Sequence, residues 1–370
     1  MMRITRRAVL PVAAGGLMAP GLLAAAPSSM PPSQPEHSGD VKARLGVTEN
    51  PFGPSPAARR AIIASVAEAP YYPHSEAALR QKIAVQEGLA QDQVTLSSGS
   101  LDALTLLTVA IAAGGRVLAP RPTYSTHLAY AARQGIETDW INLRPDHHID
   151  LDAMLAAIGP QTRMVYLCNP NNPTGLRPDP EQLRTFCIAA ARKVPVLVDE
   201  AYFELAPDPH RQSMGSLVRE GHDVIVTRTF SKVYGLAGLR IAYTLARNAR
   251  IRQLNARITT SRNQAGLAAA QACLGDAAYL SGAIAYLKQC REMIYRICEA
   301  NGLRYLKSDG TFVYIDCGMP AADLQARLAA LSVEVRLFEG DAYRNWMRVG
   351  TATPDELAYF GKVLPSALGA

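Results

Sequence analysis

The stretch Thr229-Phe230-Ser231-Lys232-Val233-Tyr234-Gly235-Leu236-Ala237-Gly238-Leu239-Arg240 sets one lysine beside small hydroxyl side chains. A glycine-containing turn follows, and an arginine stands eight positions beyond the lysine. This combination suits a lysine that bonds the carbonyl carbon of a phosphorylated aldehyde cofactor, with Thr229, Ser231 and Arg240 around the phosphate. Ser-Lys pairs are common, so the segment alone fits an exposed lysine in a turn equally well. Its neighbours in the chain decide between the two.

Val196-Leu197-Val198-Asp199-Glu200-Ala201-Tyr202 reads as an apolar strand that ends in an acid. A carboxylate at the end of a buried strand is costly without a cationic partner. A protonated pyridine nitrogen is such a partner, and Asp199 would keep that ring protonated and electron-withdrawing. Tyr202 could donate to the ring's phenolic oxygen. Cys168-Asn169-Pro170-Asn171-Asn172-Pro173-Thr174-Gly175 follows another strand, and its prolines and glycine fix a sharp turn around Asn172. That amide is a second candidate donor to the phenolic oxygen. In Leu96-Ser97-Ser98-Gly99-Ser100-Leu101-Asp102 a strand meets a helix start, whose backbone amides suit a phosphate. Tyr124, in Pro122-Thr123-Tyr124, could stack on a pyridine ring. Each feature also has a plain structural explanation: a solvated strand-end acid, an Asx turn, an N-cap, a packed ring.

The organisation between these segments is regular. Short β-branched runs at 94–97, 116–119, 138–143, 164–168, 196–198, 224–227 and 241–245 alternate with helical patterns at 101–113, 125–133, 151–158 and 181–192. Such alternation implies an α/β fold with a mostly parallel sheet covered on both faces. A long helical pattern over 265–300 follows, with breaks expected near Gly275 and Gly282. Strands expected at 311–317, 333–337 and 346–349, closed by a helix over 354–364, make a smaller α+β unit.

The chain has 370 residues and a net charge of +6, enough for one large and one smaller core. Part of the basic excess is Arg3, Arg6 and Arg7, which gives little support to nucleic-acid binding. The six cysteines form no C-x-x-C pair and read as small buried apolar residues, with no metal site expected. Residues 1–26 combine a charged start, a short apolar run and a small-residue end at Ala24-Ala25-Ala26, the pattern of a signal peptide. Arg6-Arg7, with Thr5 before and Leu10 three positions after, resembles a twin-arginine signal, so export to the periplasm is expected. The run contains Gly15, Gly16 and Pro20, which argues against a permanent membrane span. Pro27 to Pro35 reads as a tether.

In their order and spacing these segments resemble the fold-type-I, pyridoxal-phosphate-dependent aminotransferases of class I/II, and within them the histidinol-phosphate aminotransferase-like group. Further pieces of the likeness are Glu49-Asn50-Pro51-Phe52-Gly53-Pro54-Ser55-Pro56, Tyr71-Tyr72-Pro73 and Trp346-Met347-Arg348. The resemblance implies an aspartate-aminotransferase-like fold: a large domain with a mostly parallel sheet between helices, plus a small α+β domain. The corresponding divisions are an arm over 27–44, small-domain residues 45–70 and 265–370, and a cofactor domain over 71–264. It implies that Lys232 bonds the cofactor and moves the proton, with Asp199 and Tyr202 as its catalytic companions. It also implies that Gly99, Ser100, Leu101, Thr229, Ser231 and Arg240 hold the phosphate, Tyr124 the ring face, and Asn172 and Tyr202 the phenolic oxygen. Tyr72 would reach the phosphate of a neighbouring subunit, making the active unit a homodimer with shared sites. Arg348, with Arg336 and Asn50, would bind the substrate. The implied reaction passes an amino group from an amino acid, or a histidinol-phosphate-like amine, to a 2-oxo acid in two alternating half-reactions.

The cofactor end of the pattern is complete, and the substrate end departs from it. The tyrosine-containing N-terminal segment usual in enzymes acting on histidinol phosphate is missing before Leu45. Thr48 stands where an Asn is usual, and Thr311 does the same in Ser308-Asp309-Gly310-Thr311-Phe312. The stretch Thr259 to Gln264 is more polar than usual. A decarboxylase or β-eliminating lyase would use the same cofactor machinery, because the outcome depends on which bond to Cα stands perpendicular to the ring. A non-catalytic cofactor-binding protein is the remaining alternative.

Overall fold

The computed structural model describes residues 41–369, apart from positions 74 and 339. The signal segment expected over 1–26, and the tether up to residue 40, lie outside the described residues. In chain order the strands are β1 (Ala43–Arg44), β2 (Val94–Ser97), β3 (Arg116–Arg121), β4 (Glu137–Asn142), β5 (Thr162–Cys168), β6 (Val196–Asp199) and β7 (Val224–Thr229). They continue as β8 (Ala242–Leu245), β9 (Arg304–Leu306), β10 (Phe312–Asp316), β11 (Val333–Glu334), β12 (Arg336–Leu337) and β13 (Trp346–Gly350).

Seven strands form one sheet in the order β2-β8-β7-β6-β5-β3-β4. Only β8 runs against its neighbours; the other pairs in the sheet are parallel. The central strands are buried apart from Arg163 near the start of β5, as near-continuous Val/Ile/Leu runs require. Their alternate residues feed two separate cores. Val165, Leu167, Val196, Val198, Val224 and Val226 pack on one face. Met164, Tyr166, Cys168, Leu197 and Ile225 pack on the other. Each such side chain stabilises the fold by about 1.5–3 kcal/mol relative to exposure. This is the α/β architecture that the alternation implied. The six cysteines are free and buried, as expected of small apolar residues.

A second sheet, ordered β12-β13-β10-β9, is antiparallel. Its core includes Val313, Ile315, Met347 and Val349, with Ile294 of the helix Ala277–Ala300 and Leu357 and Phe360 of the helix Pro354–Leu368. Three boundaries differ from the sequence expectation, each for a local reason. The long helix breaks at Gly275-Asp276, where Asp276 caps the new helix by accepting from Tyr279 N, and it runs unbroken through Gly282. The strand expected over 333–337 is two strands, because residues 333–334 pair with β1 and 336–337 with β13. The last helix continues past Pro365 to Leu368, held by the buried Leu364 and Ala367. The strand β1 falls inside the segment expected to be an arm, and helices Pro56–Ser65, Ala77–Glu87 and Ala321–Ala330 escaped the sequence reading.

One buried ion cluster ties the sheet together behind its functional edge. Arg228, near the end of β7, is about 1 % exposed. Its Nη1 donates to Glu87 Oε1 at 2.6 Å and its Nε to Glu200 Oε2 at 3.0 Å. Its Nη2 donates to Ser213 Oγ at 2.6 Å, and its guanidinium carbon lies 3.6 Å from the Phe203 ring centroid. Removing one partner of a buried ion pair costs more than an exposed pair is worth, because the remaining charge stays desolvated. Arg228→Met is therefore expected to lower unfolding free energy by about 3–5 kcal/mol, whereas Glu220→Ala, at the exposed pair with Arg184, should cost at most about 1 kcal/mol. Equal urea midpoints for the two variants would refute this ranking.

Candidate active site

Because β2, β3, β5, β6 and β7 point the same way, their C-terminal ends share one edge of the sheet. In open α/β sheets ligands bind outside that edge. Here it opens on a cavity of about 770 Å³ lined by Ser100, Leu101, Tyr124, Asn172, Asp199, Tyr202, Thr229, Ser231, Lys232, Arg240, Arg336 and Arg348. Most of the residues singled out in the sequence thus converge. Three do not line the cavity. Gly99 sits just behind it as the N-cap of the helix Ser100–Ala112. Tyr72 is 88 % exposed, away from this chain's own cavity. Asn50, expected at the substrate, is turned into the fold: its Nδ2 donates to Val233 O at 2.6 Å, and its Oδ1 accepts from Phe52 N at 2.9 Å. Its Nδ2 braces the loop that carries Lys232, and its Oδ1 closes a local turn at Phe52.

The phosphate end is a cradle of donors. Neither Ser98 nor Ser100 caps the helix Ser100–Ala112, so its first-turn amides are left without a side-chain acceptor. Thr229 Oγ1 accepts from Ser231 N at 3.1 Å and donates to Ser231 Oγ at 2.9 Å. Arg240 Nη1 lies 3.5 Å from Ser231 Oγ. Gly99 has φ +88°, and a Cβ there would come within 2.2 Å of the Arg240 guanidinium. Only glycine lets the arginine lie against the helix start.

Lys232 Nζ donates to Thr48 O at 2.8 Å and to Thr48 Oγ1 at 2.7 Å. Burial, reinforced by the positive charge of Arg348, pulls its ammonium down from the ordinary lysine range to about 8, against the opposing pull of Asp199. The neutral amine is thus accessible near physiological pH. Asp199 is about 2 % exposed, and burial lifts its carboxyl to about 7 despite the attraction of Lys232. It accepts a long contact from Thr227 Oγ1 at 3.4 Å and a hydrogen bond from the Ala201 backbone amide. A buried carboxylate at the cavity wall without an ion-pair partner is where a cationic ring nitrogen gains most.

Between these two ends runs a continuous chain of contacts. Tyr202 OH donates to Thr48 Oγ1 at 3.4 Å and accepts from Asn172 Nδ2 at 3.3 Å. Arg348 Nη1 donates to Asn172 Oδ1 at 2.7 Å, and Nη2 to Gly46 O at 2.9 Å. Burial, with Arg336 nearby, brings Arg348 down to about 10, while burial raises the Tyr202 phenol. Phe312 and Phe338 flank the Arg348 guanidinium at 5.3 and 5.4 Å.

Two participants were not assigned roles from sequence. Thr48 was noted only as a departure from a family pattern, yet it holds the lysine. His127 lies fully buried between Tyr124 and Tyr166, with ring centroids 6.3 and 4.3 Å away, and burial drives its imidazolium down to about 3. It is a neutral ring beneath the floor of the cavity. In the sequence it reads as an ordinary helix residue.

The donor set, the glycine cradle, the unpaired Asp199 and the low-affinity Lys232 proton all fit pyridoxal phosphate. Comparisons agree. A family model described as aminotransferase class I and II matches residues 40–364. Histidinol-phosphate aminotransferase of Geobacillus sp. (strain WCH70) is 35% identical over 319 residues, covering 83% of this chain and 87% of that protein. Histidinol-phosphate aminotransferase 1 of Cupriavidus pinatubonensis is 35% identical over 339 residues, covering 90% and 89%. The solved structure of histidinol-phosphate aminotransferase from Sinorhizobium meliloti in complex with pyridoxal-5'-phosphate superposes with a TM-score of 0.83 at 30% identity, covering 89% of this chain and 91% of that one. By that family match and by its cavity, the chain belongs to the class I and II aminotransferases and is a fold-type-I, pyridoxal-phosphate-dependent transaminase.

Proposed function

We propose that the amino donor is an amino acid whose carboxylate is gripped by Arg348. The observation that carries this reading is Arg348 itself. It is about 6 % exposed at the cavity wall, and its buried Nε has no hydrogen-bond partner among the described residues. A planar guanidinium with an unused donor suits a carboxylate in a two-pronged contact. The same residue donates to Asn172, so an anion on Arg348 is sensed at the cofactor end of the cavity. The relatives named as histidinol-phosphate aminotransferases support a related amine with a phosphate as the runner-up donor, with Arg336 as the cation beside it.

Each residue has a task in that reaction. When bound, pyridoxal phosphate supplies an aldehyde that takes up the amine and a protonated ring that draws off electrons from the substrate carbon. Ser231, Thr229, Arg240 and the helix amides anchor the phosphate. Asp199 holds a proton at the ring nitrogen, and Asn172 and Tyr202 orient and polarise the phenolic oxygen. Lys232, with its proton affinity lowered to about 8, can take the proton from the substrate's α-carbon and hold it for return on the cofactor side of the nitrogen. Thr48 receives the lysine amine when it is not bonded.

Two further proposals concern the setting. We infer a homodimer, supported by Tyr72, Tyr71, Ile63 and Val66, which expose 88, 63, 72 and 67 % of their area on neighbouring stretches of chain. Export through a twin-arginine pathway rests on residues 5–10. No helix among the described residues is long and apolar enough to cross a membrane.

Purified protein is expected to be yellow, and Lys232→Ala to lose that absorbance in amine-free buffer; a colourless parent protein would refute the assignment. Arg348→Ala should raise KM for amino acids about 100-fold while leaving the absorbance of the resting protein in place. An unchanged KM would remove Arg348 from the substrate. Capture of added cofactor by cofactor-free protein should speed up as pH rises through about 8, because only the neutral Lys232 amine attacks. Stopped-flow rates that fall over that interval would contradict it. A reporter fused to residues 1–40 should be exported, and Arg6-Arg7→Lys-Lys should block it.

A further inference from the structure

The proposed amino acid donor and the cofactor leave two arginines of the cavity wall unused, the exposed Arg336 and Arg121, and Arg121 alone of the two is held over an aromatic ring. Arg121 ends β3, is half-buried, and lines the cavity together with Trp140 of β4. Its guanidinium carbon lies 4.5 Å from the Trp140 ring centroid. Its side chain has no hydrogen bond or ion pair to another described residue.

The opposite end of the same strand pair shows what an arginine does there when its role is structural. Arg116, at the start of β3, bridges to Glu137 and Asp139 on β4 and is neutralised by them. At Arg121 the neighbouring strand offers an aromatic face in place of acids. A cation–π contact fixes the orientation of a guanidinium without cancelling its charge. The surrounding field makes that charge available to an anion. Of the two acids on the cavity wall, Asp199 faces the cofactor end and Glu49 is paired with Arg44 at 3.2 Å. Arg240 and Arg348 already have anions assigned to them. A free, pre-oriented cation on a solvent-accessible wall is a receptor for a second negative group on the molecule that enters.

We infer that Arg121, held over the Trp140 ring, is a specificity-determining residue that binds a second anionic group of the amine substrate, a carboxylate or a phosphate ester. This rests on Arg348 taking the first carboxylate. The selectivity follows from the chemistry of unpaired charge. An acidic side chain reaching Arg121 gains a charge-assisted contact, and a neutral side chain of the same shape leaves the guanidinium no better off than before.

The test compares matched pairs on the purified holoenzyme and on Arg121→Gln. Kinetics would use glutamate against glutamine for the carboxylate, and O-phosphoserine against serine for the phosphate ester, each member keeping its α-carboxylate for Arg348. Binding without turnover would use glutarate against butyrate, read as a shift in thermal unfolding. In Arg121→Gln, kcat/KM for the acidic member of at least one pair should fall about 10- to 100-fold through KM, with the neutral member and the cofactor absorbance unchanged. The pair that responds identifies the acid. Arg121→Lys should recover part of the loss, and Trp140→Leu should reproduce part of it by releasing the guanidinium. The inference is overturned if Arg121→Gln keeps the parent's preference for acidic over neutral ligands in every pair, or if it loses acidic and neutral members equally. A parent that accepts none of the donors would instead refute the donor assignment, and the glutarate–butyrate comparison would then decide the role of Arg121 by itself.

Discussion

The buried guanidinium of Arg228 is the constraint around which the functional edge is built. It sits immediately before Thr229 and the cofactor lysine loop. One of its two acid partners, Glu200, is the residue after Asp199. The other, Glu87, ends the helix Ala77–Glu87, which carries the chain toward β2 and the phosphate-binding helix start. The ends of β6 and β7 and the approach to β2 are thus pinned to one point. A cation so deeply buried is tolerable only with both acids in place. The spacing of Asp199, Thr229 and Lys232 is therefore set by an interaction that none of them makes.

From this anchor the electrostatics of the cavity follow in sequence. The strands end in a region dry enough to raise the Asp199 carboxyl and lower the Lys232 ammonium, each toward neutrality. Arg348 adds to the second shift, and it favours loss of the Tyr202 proton less than burial favours its retention. The contacts Lys232–Thr48–Tyr202–Asn172–Arg348 join the Lys232 amine to the carboxylate site proposed at Arg348 through hydrogen bonds alone. A charge change at either end reaches groups that hold the other.

How much of this was legible in the sequence depended on the range of the physics involved. The strands, the parallel sheet and the turns that present Asn172, Asp199 and Lys232 follow from local patterns: β-branched runs, breakers and strand-end acids. The likeness of their spacing to known transaminases places those residues in one site on sequence alone. What stayed hidden was decided by distant partners. Asn50 looked like a substrate ligand because nothing nearby revealed that Val233, far along the chain, would take its amide. Thr48 looked like a mere departure because its role depends on where Lys232 ends. The strand at 333–337 split because its halves meet segments almost three hundred residues and about ten residues away, respectively. Arg121 carried no motif, and its meaning appears only with Trp140 stacked beneath it.

The segment from Ala43 to Pro54 has a consequence for how the enzyme comes into being. It pairs with Val333–Glu334, accepts at Leu45 O from Gly350 N, at Gly46 O from Arg348 and at Thr48 from Lys232, and packs Gly53 against Gly235, where a Cβ would approach to 2.5 Å. On a ribosome these residues emerge long before nearly all of those partners exist. Contacts of such sequence separation form late, since a long loop must close before they are rewarded. The large sheet can assemble while the chain is still growing, but the lysine dock and the anion site cannot. Competence to seize the cofactor firmly and to discriminate among amines is thereby deferred until synthesis has passed residue 350, so a truncated chain would carry the catalytic lysine without the architecture that makes it selective.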